Sequence, residues 1–310
     1  MTGTVVRSTG SWYDVLTDGG ERLTCKVKGN FRLRGIRSTN PVAIGDRVVV
    51  TEDASQTPFI KDVLDRRNYI VRKASNLSKQ SHILAANIDQ ALLIATIARP
   101  ETSTTFIDRF LACAEAYRVP VVIVFNKADD LSAEESDFKD YLTELYTGIG
   151  YDCFSISALK ATGLDDLRET LRGKTTLMAG NSGVGKSTLL NALIPGVNAR
   201  TAEISDAHQT GMHTTTYSEM FPLPDGGGLI DIPGIKGFGT FDIEPEEVAH
   251  YFRDIFHISA KCRFNNCTHT HEPGCAVMEA LENHKLAPSR YQSYISMMED
   301  KDDGKYRAAF

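Results

Sequence analysis

The sequence predicts a multidomain protein in which an N-terminal β-barrel and a C-terminal helical segment flank a central α/β domain. Three observations carry this prediction: short β-branched runs in the first seventy residues, a glycine-rich loop that begins at Gly180, and a cluster of cysteines after residue 260. Changes in pattern place the expected domains at residues 1–67, 68–240 and 241–310.

Composition describes an ordinary globular chain. It has 310 residues, of which 42% are hydrophobic and 24% are charged, and its net charge is −6. No signal-peptide pattern opens it and no apolar run approaches the length of a membrane span, so we expect a cytoplasmic protein without a membrane partner. The negative net charge excludes a protein that coats a polyanion with its whole surface, so nucleic-acid contacts need a local basic patch.

The pattern of the first domain predicts a small closed barrel. Candidate strands cover residues 4–7, 12–16, 22–27 and 47–51, and Gly and Asp residues mark the turns between them. Their spacing favours a five-stranded OB-type barrel, with an SH3-like barrel as the nearest competitor.

A basic segment lies inside this domain. It holds five cations and one aromatic ring but no acidic residue: Lys26, Lys28, Phe31, Arg32, Arg34 and Arg37. Cations that pair with phosphates beside a ring that stacks on bases are typical of an RNA-binding surface. A solvated basic loop is the alternative.

The central domain begins with two apolar runs, at residues 91–96 and 121–125, which predict strands buried on both faces. The second run ends in Asn126-Lys127-Ala128-Asp129, an N-K-x-D tetrad at the edge where parallel sheets bind ligands. Asp129 can accept hydrogen bonds from guanine N1–H and the 2-amino group, a pair of donors that adenine lacks. Asn126 would hold the loop, and the Lys127 stem would cover the base. Further along, Ser157-Ala158-Leu159 fits the S-A-[KL] loop that supports guanine O6.

The phosphate loop follows a third strand. Its residues are Gly180, Asn181, Ser182, Gly183, Val184, Gly185, Lys186, Ser187 and Thr188. This G-x-x-x-x-G-K-[ST] pattern curls backbone N–H groups around a phosphate at a helix N-terminus. Lys186 would reach the β- and γ-phosphates, and the Ser187 hydroxyl would ligate Mg²⁺.

Two switch-like segments come next. In Gly211-Met212-His213-Thr214-Thr215-Thr216 we expect Thr215 to meet Mg²⁺ and the γ-phosphate, with Thr214 as second choice, and His213 to be a candidate for orienting water. Asp231-Ile232-Pro233-Gly234 fits D-x-x-G, where Asp231 holds Mg²⁺ through water and the Gly234 N–H meets the γ-phosphate. Neither Ile235 nor Lys236 can replace the water-orienting Gln of Ras-type enzymes.

The order of these motifs is unusual, because N-K-x-D precedes the phosphate loop. The same sheet can be built from a circularly permuted chain, since surface termini and loops are interchangeable connections. The sequence therefore predicts a circularly permuted P-loop GTPase domain.

The C-terminal segment contains Cys262, Cys267, His269 and Cys275 within 14 residues. Three thiolates and one imidazole make a closed tetrahedral site that suits structural Zn²⁺. His271 is an alternative to His269. Helices are expected over residues 246–258, 276–282 and 290–298, so this domain is mostly α.

Taken together, the barrel, the permuted motifs, the Gly211–Thr216 segment and the Cys₃His cluster resemble the RsgA (YjeQ) family of bacterial ribosome-biogenesis GTPases across nearly the whole chain. The resemblance implies GTP hydrolysis on the small ribosomal subunit late in its maturation, rRNA contacts through the barrel and zinc domains, and a switch histidine matching His213. We expect a monomer with Zn²⁺ and Mg²⁺ as cofactors and GTP/GDP as ligands. A nucleotide-gated RNA-binding protein with negligible turnover is the alternative.

Overall fold

The computed structural model of the chain describes residues 1–27, 41–53, 56–72, 82–197, 218–232 and 243–299. Thirteen strands and seven α-helices occur within these ranges. Eleven of the strands form one continuous sheet that runs from the central domain into the N-terminal barrel.

The N-terminal domain is a closed barrel of five strands. They are β1 (Thr2–Ser8), β2 (Tyr13–Thr17), β3 (Arg22–Val27), β4 (Arg47–Asp53) and β5 (Gln56–Val63). The strand order is β1-β2-β3-β5-β4, and β4 pairs back onto β1 to close the barrel. The β3–β5 pair is parallel and the other pairs are antiparallel. This arrangement confirms the OB-type prediction over the SH3-like alternative.

A short antiparallel pair follows the barrel and leads into the central domain. It consists of β6 (Tyr69–Arg72) and β7 (His82–Ala86), which form a sheet of their own. Neither strand is predicted from the sequence.

The central domain is a largely parallel sheet with helices packed on it. Its strands are β8 (Gln90–Ala95), β9 (Val121–Phe125), β10 (Asp152–Ser155), β11 (Thr175–Ala179), β12 (Ser218–Pro222) and β13 (Gly228–Asp231). Its helices are α1 (Thr104–Ala116), α2 (Ala133–Ile149), α3 (Leu164–Leu171) and α4 (Lys186–Leu193). The strand order β10-β9-β8-β11-β13-β12 places β11 near the middle of the sheet, although it comes late in the chain.

Only β12 runs antiparallel within this part of the sheet. The carboxyl ends of the other five strands therefore meet at one edge, where open α/β sheets bind ligands. Strand β8 is buried at every position, as its unbroken apolar run predicted.

The C-terminal domain packs as short helices against α1. A 3₁₀ helix at Pro245–Tyr251 precedes α5 (Arg253–Ser259), α6 (Ala276–Glu282) and α7 (Pro288–Met298). The prediction of one helix over residues 246–258 is wrong, because the backbone of Phe252 is extended (φ −103°, ψ 97°). The Phe252 ring is fully buried and packs edge-on against Tyr294, and this tertiary contact overrides the local helical pattern.

None of the helices in the described ranges combines the length and the apolar character that a bilayer span requires.

Candidate nucleotide and metal sites

The phosphate loop connects β11 to α4 at the ligand-binding edge of the sheet. Gly180, Gly183 and Gly185 have φ values of 144°, 81° and 95°, a region that other residues rarely adopt. A Cβ on Gly180 would lie 2.3 Å from the carbonyl oxygen of Ile94, so this glycine also allows the loop to pass close to β8. Val184 points inward and is fully buried, which anchors the loop to the core.

Lys186 lies at the first position of α4. Its ammonium donates to the carbonyl oxygens of Gly180 (2.8 Å) and Asn181 (2.7 Å), so the side chain curls back over the loop. Burial lowers the pKa of Lys186, and the nearby Asp231 carboxylate opposes this shift. Burial likewise raises the pKa of Asp231, and Lys186 opposes it. The two charges thus partly compensate each other at the phosphate-binding end of the site.

Asp231 reaches this position because β13 lies beside β11. The two strands are parallel, and Asp231 is in register with Met178, near the point where β11 ends. The D-x-x-G aspartate and the phosphate loop are therefore neighbours. Pro233 and Gly234 lie outside the described residues.

Asn126 joins the two ends of the predicted nucleotide site. Its Nδ2 donates to the carbonyl oxygen of Val184 in the phosphate loop (2.8 Å), and its Oδ1 accepts from the N–H of Ala158 (3.0 Å). A Cβ on Gly185 would lie 2.4 Å from Asn126 Nδ2, so glycine is needed where the two loops meet. The N-K-x-D, S-A-L and phosphate-loop motifs are therefore assembled at a single edge of the sheet.

The base-reading residues lie beside this junction. Lys127 has a left-handed backbone (φ 64°), and Asp129 is exposed within a 3₁₀ helix at Ala128–Asp130. Ser157 is buried, and its hydroxyl accepts from the N–H of Lys160, which shapes the S-A-L loop. The Asp129 side chain is thus exposed at the place where the sequence predicts that guanine binds.

The Cys₃His cluster also assembles in space. The ligand atoms of Cys262, Cys267, His269 and Cys275 all lie within 4.8 Å of one another. His269 Nδ1 lies 3.6 Å from Cys262 Sγ and 3.5 Å from Cys275 Sγ. A tetrahedral metal about 2.3 Å from sulfur and about 2.0 Å from nitrogen would separate these atoms by roughly 3.5 Å. The residues therefore fit a metal ion.

The alternative ligand His271 points elsewhere. Its Nδ1 contacts the hydroxyl of Thr270 at 2.8 Å, and the residue is exposed. His269 is buried and has a left-handed backbone (φ 59°), which turns its ring toward the thiols. This geometry favours His269 as the fourth ligand.

Residues around the cluster that the sequence did not single out hold the ligand loop. Tyr294 and Tyr291 donate to the carbonyl oxygens of Thr268 and His269, each at 2.8 Å. Glu272 accepts from the N–H groups of Thr268 (2.7 Å) and Thr270 (3.1 Å). Burial opposes the ionised form of Glu272, but the hydrogen bond from the Thr268 hydroxyl, followed by those from the N–H groups of Thr268, Glu272 and His271, holds its pKa well below the usual range. The sequence signal that could have identified Glu272 is its position directly after the Thr-His-Thr-His run.

Several predicted site residues lie outside the described part of the chain: Lys28, Phe31, Arg32, Arg34, Arg37, His213, Thr214, Thr215 and Gly234. Of the basic segment, Lys26 is described, and its ammonium lies 4.2 Å from the centre of the half-exposed Trp12 ring. Trp12 is an aromatic neighbour that sequence spacing did not connect with the patch.

Comparisons with known proteins agree with this assembly of motifs. The sequence profile of the RsgA GTPase family matches residues 63–241, and that of the RsgA N-terminal domain matches residues 2–60. A protein of Bacteroides fragilis named small ribosomal subunit biogenesis GTPase RsgA is 62% identical over 310 residues, covering all of both chains. A protein of the same name from Porphyromonas gingivalis is 56% identical over 315 residues, again covering all of both.

Two solved structures also match. The crystal structure of YjeQ from Thermotoga maritima gives a TM-score of 0.77 at 37% identity and covers 96% of each chain. The structure of YloQ, described as a circularly permuted GTPase, gives a TM-score of 0.73 at 28% identity and covers 100% of this chain and 96% of that one. On its sequence, its fold and the arrangement of its nucleotide motifs, the chain belongs to the RsgA family of GTPases.

Proposed function

We propose that this protein binds the small ribosomal subunit and hydrolyses GTP to GDP and phosphate, which drives late subunit maturation and its own release. The observation that carries the proposal is the Asn126 bridge, which brings a guanine-type base loop and a phosphate loop into one site. The ribosomal partner is supported by the names of the relatives, which are called small ribosomal subunit biogenesis GTPases.

The phosphate end of the site would bind the triphosphate through the loop N–H groups and Lys186. On binding, the Lys186 ammonium would exchange the carbonyl oxygens of Gly180 and Asn181 for β- and γ-phosphate oxygens. Ser187 and Thr215 would hold Mg²⁺ directly, and Asp231 would hold it through water. Bound Mg²⁺ supplies positive charge to the phosphate oxygens as the terminal phosphoryl group is transferred.

Water activation is expected to depend on the partner. The chain offers Ile235 and Lys236 where a Ras-type enzyme carries its glutamine. His213, in the segment with Thr215, is the residue we propose to orient the attacking water or accept its proton. In the free protein hydrolysis would be slow, and binding to the small subunit would accelerate it.

The Cys₃His cluster is proposed to hold one structural Zn²⁺. Three thiolates and an imidazole nitrogen match the ligand preference of zinc and leave no open position for catalysis.

The basic segment that starts at Lys26 is proposed to contact rRNA. The proximity of Lys26 to the exposed Trp12 ring supports this role, since bases stack on such rings.

Co-sedimentation with purified ribosomal subunits tests the proposal. The protein should pellet with small subunits in the presence of a non-hydrolysable GTP analogue, less with GDP, and not with large subunits. Equal binding to both subunits in all nucleotide states would contradict it.

The guanine assignment has its own test. Asp129→Asn should weaken GTP binding and favour xanthosine triphosphate, whose 2-oxo group can accept a hydrogen bond from the new amide. Unchanged affinity for GTP would refute the assignment of Asp129.

A further inference from the structure

The loop that follows β8 contacts the base loop and the start of α2 through one side chain, that of Arg99. The Arg99 guanidinium donates from Nε to Asp130 Oδ2 (2.8 Å), and its two terminal nitrogens form a fork on the Glu135 carboxylate at 2.9 and 2.8 Å. It also donates to the carbonyl oxygen of Asp130. One side chain therefore binds the end of the base loop and the start of α2.

The backbone of the same loop makes two further contacts. The carbonyl oxygen of Arg99 accepts from the Lys127 ammonium at 2.5 Å. The next residue, Pro100, lies against the phosphate loop, where a Cβ on Gly183 would come within 3.3 Å of its Cδ. Residues 99 and 100 thus lie between the two motifs that bind the nucleotide.

These contacts of Arg99 continue into α2 through Glu135. Its carboxylate also accepts from the N–H of Ser132 (2.8 Å), and the Ser132 hydroxyl accepts from the N–H of Glu135 (3.2 Å), which makes a capping box. The helix start is therefore fixed by its own cap and presents a defined carboxylate to Arg99.

Asp129 lies in the short segment between these contacts. Lys127 and Asp130, which flank it, both form hydrogen bonds with Arg99, whereas Asp129 is exposed and its carboxylate forms no hydrogen bond or ion pair with the other described residues. A short segment held on both sides of one free carboxylate is preorganised for a ligand. Ordering such a segment beforehand removes an entropy cost that binding would otherwise carry.

We propose that Arg99 is a positioning residue for guanine specificity: it holds the base loop so that the Asp129 carboxylate is placed to read the base. This inference rests on the proposed function through the assignment of Asp129. Arginine suits the role because its rigid fork binds a carboxylate through two parallel hydrogen bonds, which a lysine cannot do. The competing view is that these exposed ion pairs contribute nothing measurable.

The test compares two probes that engage different ends of the site. Equilibrium constants are measured for a fluorescent GDP derivative and, by competition, for inorganic pyrophosphate, which occupies the phosphate loop without touching the base loop. Arg99→Ala should raise the Kd for GDP about 5- to 10-fold and leave the pyrophosphate constant unchanged. Arg99→Lys should recover part of the loss.

Arg172→Ala is the matched control, because Arg172 forms a similarly exposed ion pair with Glu169 on α3, away from the base loop. It should leave both constants unchanged. The double variant Arg99→Ala/Asp129→Asn should bind GDP no more weakly than Asp129→Asn alone, since Arg99 acts through Asp129.

The outcomes separate the two levels of inference. A full additional loss in the double variant, an equal loss for GDP and pyrophosphate, or no loss in Arg99→Ala would each overturn the positioning role. If Asp129→Asn itself leaves GDP binding unchanged, then the guanine assignment fails. If Asp129→Asn weakens binding and Arg99→Ala does not, then the proposed function stands without the role of Arg99.

Discussion

Asn126 is the residue on which the geometry of the nucleotide site depends most directly. It is buried, and its amide satisfies a phosphate-loop carbonyl with one end and the Ala158 N–H with the other. Asn126→Ala would leave both partners without their hydrogen bond, which costs about 1–3 kcal/mol for a buried group. We expect at least a tenfold weaker affinity for GDP, measured by fluorescence titration.

Asn68 offers a matched control for this variant. Its side chain makes the same kind of double contact, with the carbonyl oxygen (2.7 Å) and the N–H (2.8 Å) of Ile88. Asn68→Ala should therefore lower the free energy of unfolding to a similar extent but keep the affinity for GDP. Equal losses of affinity in both variants would show that Asn126 acts through general stability alone.

The titration of the Glu135 carboxyl tests whether it is paired with Arg99 beside the base loop. The hydrogen bond from Arg99, followed by that from the Ser132 N–H, lowers the pKa of Glu135 to about 2 from 4.5. Because the pKa is lower in the folded protein, ionised Glu135 stabilises the fold when the pH is above the ordinary pKa of 4.5. This contribution is lost as the pH falls from 4.5 toward 2. In Arg99→Ala the NMR titration midpoint of the Glu135 carboxyl carbon should move upward toward 4.5. An unmoved midpoint would contradict the pairing.

At the scale of elements, a buried ion-pair network fastens the C-terminal helices to the central domain. Arg290 on α7 donates to Asp108 on α1 (2.7 Å) and forms a fork on Asp254 of α5 (2.9 and 2.7 Å). Its side chain is 1% exposed and also lies over the Phe252 ring. The network therefore joins three helices across a largely buried interface.

Arg290→Met is expected to lower the free energy of unfolding by about 3–5 kcal/mol, because it leaves the buried carboxylate of Asp108 and the partly buried one of Asp254 without their cation. Urea unfolding followed by circular dichroism measures the change. The exposed pair Arg172–Glu169 gives the control, since Arg172→Ala removes a pair whose acid is 65% exposed and should cost no more than about 1 kcal/mol. Similar losses in both variants would refute a special role for the buried network.

The metal cluster gives a second prediction at this scale. His269→Ala should release the bound metal and lower the melting temperature, because a small module of short helices depends on its metal for folding. His271→Ala, which changes the neighbouring exposed ring, should keep one zinc per chain. Metal content by mass spectrometry and melting by calorimetry test the pair of variants, and zinc retention by His269→Ala would refute the ligand assignment.

The elements show where sequence reasoning succeeds and where it cannot. Strands such as β9 and the phosphate-loop helix α4 are encoded locally, by an apolar run or by a glycine pattern, so their positions follow from the sequence. The break at Phe252 and the β6–β7 pair depend on what each segment packs against. Arg290 illustrates the same limit, since an arginine in a polar-looking helix gives no local sign that two distant carboxylates surround it.

At the scale of the whole molecule, the barrel and the central domain share one sheet. Strand β1 pairs with β12 through Arg7–Glu219 and Ser8–Ser218, and Arg22 of the barrel forms an ion pair with Glu219 (3.2 Å). Strand β12 is the first described element after the segment that contains His213 and Thr215. The proposed RNA-binding barrel is therefore bonded directly to the strand that follows the proposed switch.

Measuring GTP turnover with and without purified small ribosomal subunits tests the central claim most directly. We predict slow hydrolysis by the free protein, a rate increase of at least tenfold with small subunits, and loss of that increase in Lys186→Ala, which lacks the phosphate-binding ammonium. Large subunits should leave the rate unchanged. Turnover that stays negligible with small subunits would contradict the account and would instead indicate an RNA-binding protein whose nucleotide only controls affinity.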